Sequence, residues 1–508
     1  MGPVVARYRF GPAAFGETKG MKLRNGLLLG SAFAIGLAAG PLAGRIAGLP
    51  EGPFSLGMAA LAQEVPASAA DSGNHAEIAR YLVLFGQVLD LARAKYVEPV
   101  SVHDLINNAL SGMISGLDPH SSYMTEKQYG DMKIQTTGNY GGLGIEVQGQ
   151  DGHIRIVAPF DGSPAARAGL KPGDYIVAVN GHDVDGQPVD TVVQTMKGKP
   201  GEKIAVTVLR EKAPKPITVT MTREIIHLQV VRSALYGNIG YIRVSQFTEE
   251  TEARMHEAFN KLKAQADAKG AGGKLQGLVL DLRSDPGGLL NQAIAVSDDF
   301  IPEGQIVSIR ARDPHEDQRW DARGTDMTNH LPIVVLIDGG TASAAEIVAG
   351  ALQDHRRAVL LGTKSFGKGS VQTIFPFPGY GAVRLTTARY YTPSGRSIQG
   401  LGIVPDIAVK DSRSDPGFSV HEADLAHIIK NEGGNRSKPV ARTDLPAIAG
   451  SIPDEPPANW PDLDLTKPDT DFQLQEGLRV VRSMAGLPAP DVTANATPPH
   501  NATAHAVP

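Results

Sequence analysis

The chain has 508 residues, enough for about three domains with buried cores. Hydrophobic residues at 42% and charged residues at 20% are ordinary globular usage, which argues against wholesale disorder and against a multi-span membrane protein. A formal charge of −5 supplies no strong field for nucleic acid, and the absence of cysteine excludes disulfides, thiolate catalysis, Cys-ligated zinc and iron–sulfur clusters.

Residues 26–43 form an uncharged run preceded by Lys19, Lys22 and Arg24. As a helix the run would span roughly 27 Å, marginal for a bilayer. Basic-then-apolar order predicts an export signal or membrane anchor within residues 1–65; a buried Gly/Ala-rich core helix is the alternative. Ala60-Leu61-Ala62 matches a small-x-small cleavage site but lies far beyond the run, and Met21 is a second candidate start. Residues 76–117 carry helical periodicity in two stretches, Ile78 to Leu91 and Leu105 to Ile114, broken by Val97-Glu98-Pro99. Between 139 and 222 the pattern changes to short strands with two short helices, at Ser163–Leu170 and Val189–Met196, which predicts a small closed domain. From 224 to 410 apolar strands alternate with helices. Gly277–Leu282 and Ile333–Ile337 are continuous apolar runs of the kind buried on both faces, so an α/β core is expected. Beyond 411 the chain is polar and Pro-rich apart from a helical patch at 471–485, and the last 20 or so residues read as disordered.

Three segments of the α/β region carry chemistry. In GGTASAAEIVAGAL (339–352) Ser343 stands at a strand-to-helix turn among small residues, and Ala344 would present a free amide to an oxyanion. Ser343-Ala-Ala-Glu346 is equally a capping box. In GTKSFGKGSVQ (362–372) Lys368 lies between glycines that permit close packing; burial would lower its pKa enough for a general base, and Gln372 could orient it. A solvated loop lysine is the bland alternative. A P-loop is excluded, because position 369 is Gly where Ser or Thr is required and strand rather than helix follows. In DLRSDPGG (281–288) Gly287 and Gly288 either make a tight turn or bring a second oxyanion donor. There is no HExxH, and His355 would lie some 18 Å from Ser343 along a helix.

Taken in order, LDPHSSYM (117–124), GGLGIEV (141–147), DLRSDPGG, TASAAEI (341–347), SFGKGSVQ (365–372) and YYTPSGRSIQGLGIVPDI (390–407) resemble the carboxy-terminal processing peptidases, or tail-specific proteases, a serine peptidase family. The resemblance covers roughly 75–485 and implies a multidomain α/β protein. Its parts would be an N-terminal helical region (72–138), a PDZ domain built as a small β-barrel with two helices (139–222), a crotonase/ClpP-like ββα serine protease core (224–410), and a C-terminal region (411–508) with one helix and a disordered tail. It further implies a Ser343–Lys368 dyad with Gln372 orienting the lysine, an oxyanion hole of Ala344 and Gly288, and a PDZ carboxylate-binding loop of Gly142, Leu143, Gly144 and Ile145. Asp354 fills a position sometimes proposed to participate, and here reads better as a structural carboxylate; Asp285 departs from the asparagine common in the glycine turn. The expected partners are proteins or peptides with free C-termini, with room for an activating adaptor and for membrane contact through the N-terminal segment. No cofactor, metal or nucleic acid is expected, and the expected location is the periplasm or the extracytoplasmic face of a membrane. Two other classes compete: a catalytically silent PDZ scaffold and a crotonase-like acyl hydrolase.

Overall fold

The computed structural model describes residues 74–150, 153–160, 162–211, 213–269, 273–411, 420–432, 442–464 and 467–489. The expectations for an export segment at 26–43 and for most of the tail fall outside these residues. No helix among the described residues is long and apolar enough to cross a membrane. The chain divides into two compact units between Leu105 and Ile106. Helix α1 (Asn74–Lys95) belongs to the first, and α2 (Val102–Ser115) contains the division. The helix break falls at Val97-Glu98-Pro99, since proline disfavours helix at the residue before it.

The second unit continues with β1 (Ser122–Met124) and α3 (Glu126–Thr137), which opens on a reciprocal Thr125–Gln128 capping box and closes on Gly138 at φ 74°. A short ladder of β2 (Asn139–Gly142) with β9 (Glu224–His227) ties the two ends of the small domain together. Between them lie β3 (Ile145–Gln150), β4 (His153–Pro159), α4 (Pro164–Arg167), β5 (Tyr175–Val179), β6 (His182–Asp183), α5 (Val189–Met196), β7 (Lys203–Leu209) and β8 (Ile217–Thr222). The strands pair in the order β3-β4-β5-β7-β8, with β6 on β5, so β3 is an edge strand. Alternation puts Ile204, Val206 and Val208 of β7 inside, against Ile154, Ile156 and Ile176.

The larger domain starts with β10 (Val231–Tyr236) and β11 (Ile239–Val244), an antiparallel pair. It continues through α6 (Thr251–Asp267), β12 (Gly277–Asp281), α7 (Leu290–Asp298), β13 (Gln305–Ala311), β14 (Gln318–Asp321), β15 (Ile333–Ile337), α8 (Ala344–Asp354) and β16 (Val359–Gly362). Strands β17 (Ser370–Phe377), β18 (Gly381–Tyr391) and β19 (Ile407–Ala408) follow, and α9 (Phe472–Met484) ends the fold. One sheet runs β10-β11-β12-β15-β16-β19, parallel from β11 onward; the other runs β1-β18-β13-β14 with β17 on β18.

Both faces of the parallel sheet are covered, as its continuous apolar strands require. Leu278, Leu280, Ile333 and Val335 join the core made with α6, α7 and α8, while Val279, Val334 and Leu336 meet Phe472, Leu474, Leu478 and Val481 of α9. Each such side chain contributes about 1.5–3 kcal/mol relative to exposure, which is why a helix so far along the chain belongs to the core. Arg283 pins α9 in place. It bridges Asp281 (2.7 Å) and Asp471 (2.7 Å), and Asp471 also caps α9 through Leu474 N (3.0 Å).

Candidate active site

Parallel strands β12 and β15 deliver two loops to the same edge of their sheet, 282–289 and 338–343. Asp338 stitches them together: it accepts from Ser284 N (2.7 Å) and Ser284 Oγ (2.9 Å), while Ala342 N donates to Asp285 O (2.9 Å). Ser343 then sits in the turn into α8 at φ 54°, a left-handed conformation a non-glycine residue adopts only when its surroundings impose it. Gly287 packs against this turn. A Cβ built there would lie 2.6 Å from Ala342 O, 2.7 Å from Ala344 N and 2.9 Å from Ser343 Cβ, so no side chain fits.

The two glycines divide their work. Gly287 N–H is committed to Asp285 Oδ1 (2.8 Å), and Phe247 bonds the chain on both sides of Gly288, through Gly287 O and Leu289 N (both 2.9 Å). That parallel bridge turns the Gly288 amide away from Phe247, and the amide has no partner among the described residues. Ala344 N–H is one of the orphan donors at the start of α8. Burial pushes the Asp285 carboxyl well above the usual carboxylate range.

Lys368 arrives on the loop between β16 and β17. Gly369 lets this loop lie against Gln399, where a Cβ would come within 2.7 Å of the backbone nitrogen, and Gly369 N donates to Gln399 Oε1 (2.9 Å). Dense packing around the Lys368 ammonium, then the nearby Arg384 charge, pulls its pKa down to about 8; Glu422, Glu346 and Asp118 oppose the shift. By accessible area both Ser343 and Lys368 stay partly open while Ala344 and Gly367 are buried.

Two buried side chains bring Ser343 and Lys368 together. Glu346 Oε2 accepts from both backbone amides, Ser343 N at 2.8 Å and Lys368 N at 2.9 Å. Its Oε1 accepts from Gly367 N (2.7 Å) and Ser365 Oγ (2.5 Å). Burial raises the Glu346 pKa to about 7 and these four donors resist the rise. On the carbonyl side, the Tyr390 hydroxyl lies 3.2 Å from Ser343 O and bonds Lys368 O. Burial, then the charges of Glu346 and Glu422, keeps that phenol protonated. In the sequence Glu346 is half of a capping box, and Tyr390, near the end of strand β18, carries no local signal of a polar task.

Gln372 lies at the bulge of β17 against β18, its Nε2 donating to Ser370 Oγ (3.0 Å) and Thr386 Oγ1 (3.2 Å). Asp354 stands at the far end of α8, about 16 Å along the helix from Ser343. There it accepts from Arg396 (2.5 Å) and Ser394 N (3.0 Å), a structural pair remote from the turn. In the small domain Gly142 ends β2 and Leu143 is 3% exposed. Gly144 turns at φ 68°, where a Cβ would strike Ser163, and Ile145 opens edge strand β3. Gly149 of β3 approaches Val189 at the start of α5, where a Cβ would come within 3.0 Å of the valine side chain.

Comparison with known proteins agrees with this layout. Family models match at residues 238–409 (peptidase family S41), 131–209 (PDZ domain) and 56–128 (activating protease CtpB N-terminal domain). A carboxy-terminal-processing protease of Bartonella bacilliformis is 47% identical over 372 residues, covering 72% of this chain and 85% of that protein. A carboxyl-terminal-processing protease of Synechocystis is 36% identical over 329 residues, 63% of this chain and 75% of that protein. Among solved structures, a photosystem II D1 C-terminal processing protease is 28% identical, with a TM-score of 0.37, covering 65% of this chain and 92% of that one. Domain order, an α/β core with a PDZ domain before it, and identity across most of a curated relative lead to one assignment: the chain belongs to the carboxy-terminal-processing protease family, serine-type peptidases of family S41.

Proposed function

We propose that this chain is a serine endopeptidase that cuts exported proteins near their C-termini, with Ser343 as nucleophile and Lys368 as general base. The observation that carries the reading is the double clamp: one buried carboxylate oxygen holds both backbone amides and one buried phenol faces both carbonyls. The neutral Lys368 amine takes the Ser343 proton as Oγ attacks the scissile carbonyl. The tetrahedral oxyanion accepts from the amides of Ala344 and Gly288, and the lysine returns the proton to the leaving amine. Water, deprotonated by the same lysine, then releases the acyl group. Gln372 orients the amine. With a pKa of about 8, the base is substantially neutral at mildly alkaline pH. The core that carries this chemistry is crotonase/ClpP-like, its nucleophile at a turn where strand gives way to helix.

Capture of the substrate tail falls to the PDZ domain. An extended peptide adds to edge strand β3 beside α5, its carboxylate received by the amides of the Gly142–Ile145 loop. The Lys19, Lys22, Arg24 and 26–43 pattern supports export and an extracytoplasmic location, with membrane contact through that segment if it is retained. An adaptor that activates the enzyme is compatible with this plan. The test compares wild type, Ser343→Ala and Lys368→Ala on an unstructured peptide with an apolar C-terminus, free or amidated. Cleavage lost in both variants and slowed by amidation is expected. Hydrolysis that survives both substitutions would rule out the dyad, and equal cleavage of the amidated peptide would rule out carboxylate capture.

A further inference from the structure

The turn at 117–124 has no part in the reaction as described, yet it is packed against the strand beside Lys368. Asp118 is 4% exposed. Its carboxylate accepts from His120 N (2.9 Å), Ser121 N (3.0 Å), Ser121 Oγ (2.6 Å) and Thr386 Oγ1 (3.0 Å). Burial alone would raise its pKa; the donors from Ser121, His120 and Thr386 outweigh it and hold the group below the ordinary aspartate value. Asp118 is therefore a carboxylate at working pH, and a carboxylate only accepts.

That polarity propagates. Thr386 has one hydroxyl proton, and Asp118 Oδ1 takes it. The threonine oxygen then has only lone pairs to offer, so the neighbouring Gln372 amide must present N–H there, at 3.2 Å. Its second N–H goes to Ser370 Oγ (3.0 Å). With both N–H groups taken on one side, Oε1 faces the other. We propose that Asp118 is a positioning residue for proton transfer: through the Thr386 hydroxyl it sets the polarity of the Gln372 amide, so that Lys368 meets Oε1 and not the NH2 group. The distinction matters for a base. Oε1 accepts an N–H of the neutral amine and leaves its lone pair free for the Ser343 proton, whereas a reversed amide would donate to that lone pair and occupy it. The other charged groups acting on the amine are Arg384 from β18, Glu346 from α8 and Glu422, and none of them hydrogen-bonds the Gln372 side chain among the described residues.

This inference rests on the proposed function, with Lys368 as the base and Gln372 as its orienting partner, and the experiment separates it from that reading. Asp118→Asn, Thr386→Val, Gln372→Ala and the Asp118→Asn/Gln372→Ala double variant of the full chain are assayed on the unstructured peptide, with thermal melting to establish folding. Asp118→Asn is expected to lower kcat about 10- to 100-fold with little change in KM. Thr386→Val should do the same, and the double variant should be no slower than Gln372→Ala alone. In parallel, competitive labelling of amines across pH, read by mass spectrometry in a Ser343→Ala background, gives the titration midpoint of Lys368 without any turnover. Thr386→Val, which keeps the Asp118 charge, should move that midpoint as Gln372→Ala does, whereas Asp118→Asn adds the loss of its own charge and shifts it further down. Effects that multiply in the folded double variant, or a midpoint unmoved by Thr386→Val, would overturn the relay. A wild type that cleaves no peptide would overturn the peptidase reading, while the labelling still decides the role of Asp118.

Discussion

Replacing Lys368 by methionine should make the fold more stable below pH 8 while ending turnover. The ammonium titrates at 10.5 in an open chain and at about 8 here, because burial and then Arg384 disfavour its charged form. At about 1.4 kcal/mol per tenfold change, that drop corresponds to about 3 kcal/mol carried by the folded state whenever the lysine is protonated. Residual exposure of the side chain screens part of it, leaving about 1–3 kcal/mol. The sign follows from proton binding. Between pH 8 and 10.5 the unfolded chain holds the proton that the folded chain has released, so the penalty is full below 8, fades across that window and is gone above it. Methionine has similar length and no charge, so Lys368→Met should raise the urea midpoint of the protease domain at pH 7 and lose most of the gain by pH 10. Parallel urea titrations of the variant and wild type at the two pH values measure this. Equal or lower stability of the variant at pH 7 would refute the argument, since an ammonium held without penalty has no reason to act as a base near neutrality.

Glu346→Gln turns an acceptor into a donor facing two N–H groups, so at least one of the Ser343, Gly367 and Lys368 amides loses its partner. About 1–3 kcal/mol of stability and about 100-fold in kcat should go with it, and melting and turnover unchanged from wild type would dispose of the clamp. Because the folded pKa of Glu346 is raised to about 7, its contribution to stability is full below 4.5 and falls as pH rises through 7. The gap between wild type and the glutamine variant should therefore narrow over that range in pH-dependent melting. Gly287→Ala forces a Cβ at φ 91° to within 2.6–2.9 Å of Ala342 O, Ala344 N and Ser343 Cβ. It should cost at least about 1–2 kcal/mol and displace the Ser343 turn, and a fully active alanine variant would contradict that packing. Asp354→Asn should lower the melting temperature by weakening the Arg396 pair, at about 1–3 kcal/mol, yet leave kcat of the folded enzyme within about threefold. A loss of a hundredfold at normal stability would instead give Asp354 a chemical role.

What was legible in the sequence was whatever has a local period or a local break. Gly277–Leu282 and Ile333–Ile337 read as doubly buried strands because a nearly continuous apolar run has no polar face to show water, and the observed strands Gly277–Asp281 and Ile333–Ile337 are fully buried. The apolar spacing at Phe472, Leu474, Leu478 and Val481 gave helix α9. Its place on the far face of the sheet did not follow from spacing, because Val279, Val334 and Leu336 lie between 136 and 202 positions before the α9 residues they meet. The active site divides the same way. Ser343, Lys368 and the Gly287-Gly288 pair announce themselves by unusual neighbours. Glu346 reads as one more acid in the first turn of a helix, where the dipole alone justifies it. Asp118 reads as a turn former before proline, and Glu422 as part of a polar tail. Their tasks come from contacts across 268 and 302 positions, Asp118 to Thr386 and Glu422 to His120, and no window along the chain contains both partners.

These hidden acids bear on the proposal that the buried Lys368 serves as a base. A lysine pushed too low in pKa would be neutral but too weak to take a proton from serine; one left near 10.5 would be charged at rest. Burial and Arg384 press the Lys368 amine toward neutrality, and Glu422, Glu346 and Asp118 hold it back at about 8. The same three carboxyl groups would act on the ammonium formed by the proposed proton transfer, and to the degree each is ionised they would stabilise it. Arg384 is itself anchored to the 117–124 turn through His120 O (3.0 Å), and His120 in turn meets Glu422 (2.8 Å). Arg384, which lowers the Lys368 pKa, and Glu422 and Asp118, which raise it, are thus parts of one hydrogen-bonded frame. That frame is built from Asp118 and His120 of the turn, Arg384 and Thr386 of β18, and Glu422. A shift of the 117–124 turn would move opposing charges together, which keeps their sum at Lys368 less sensitive to small displacements than either sign alone.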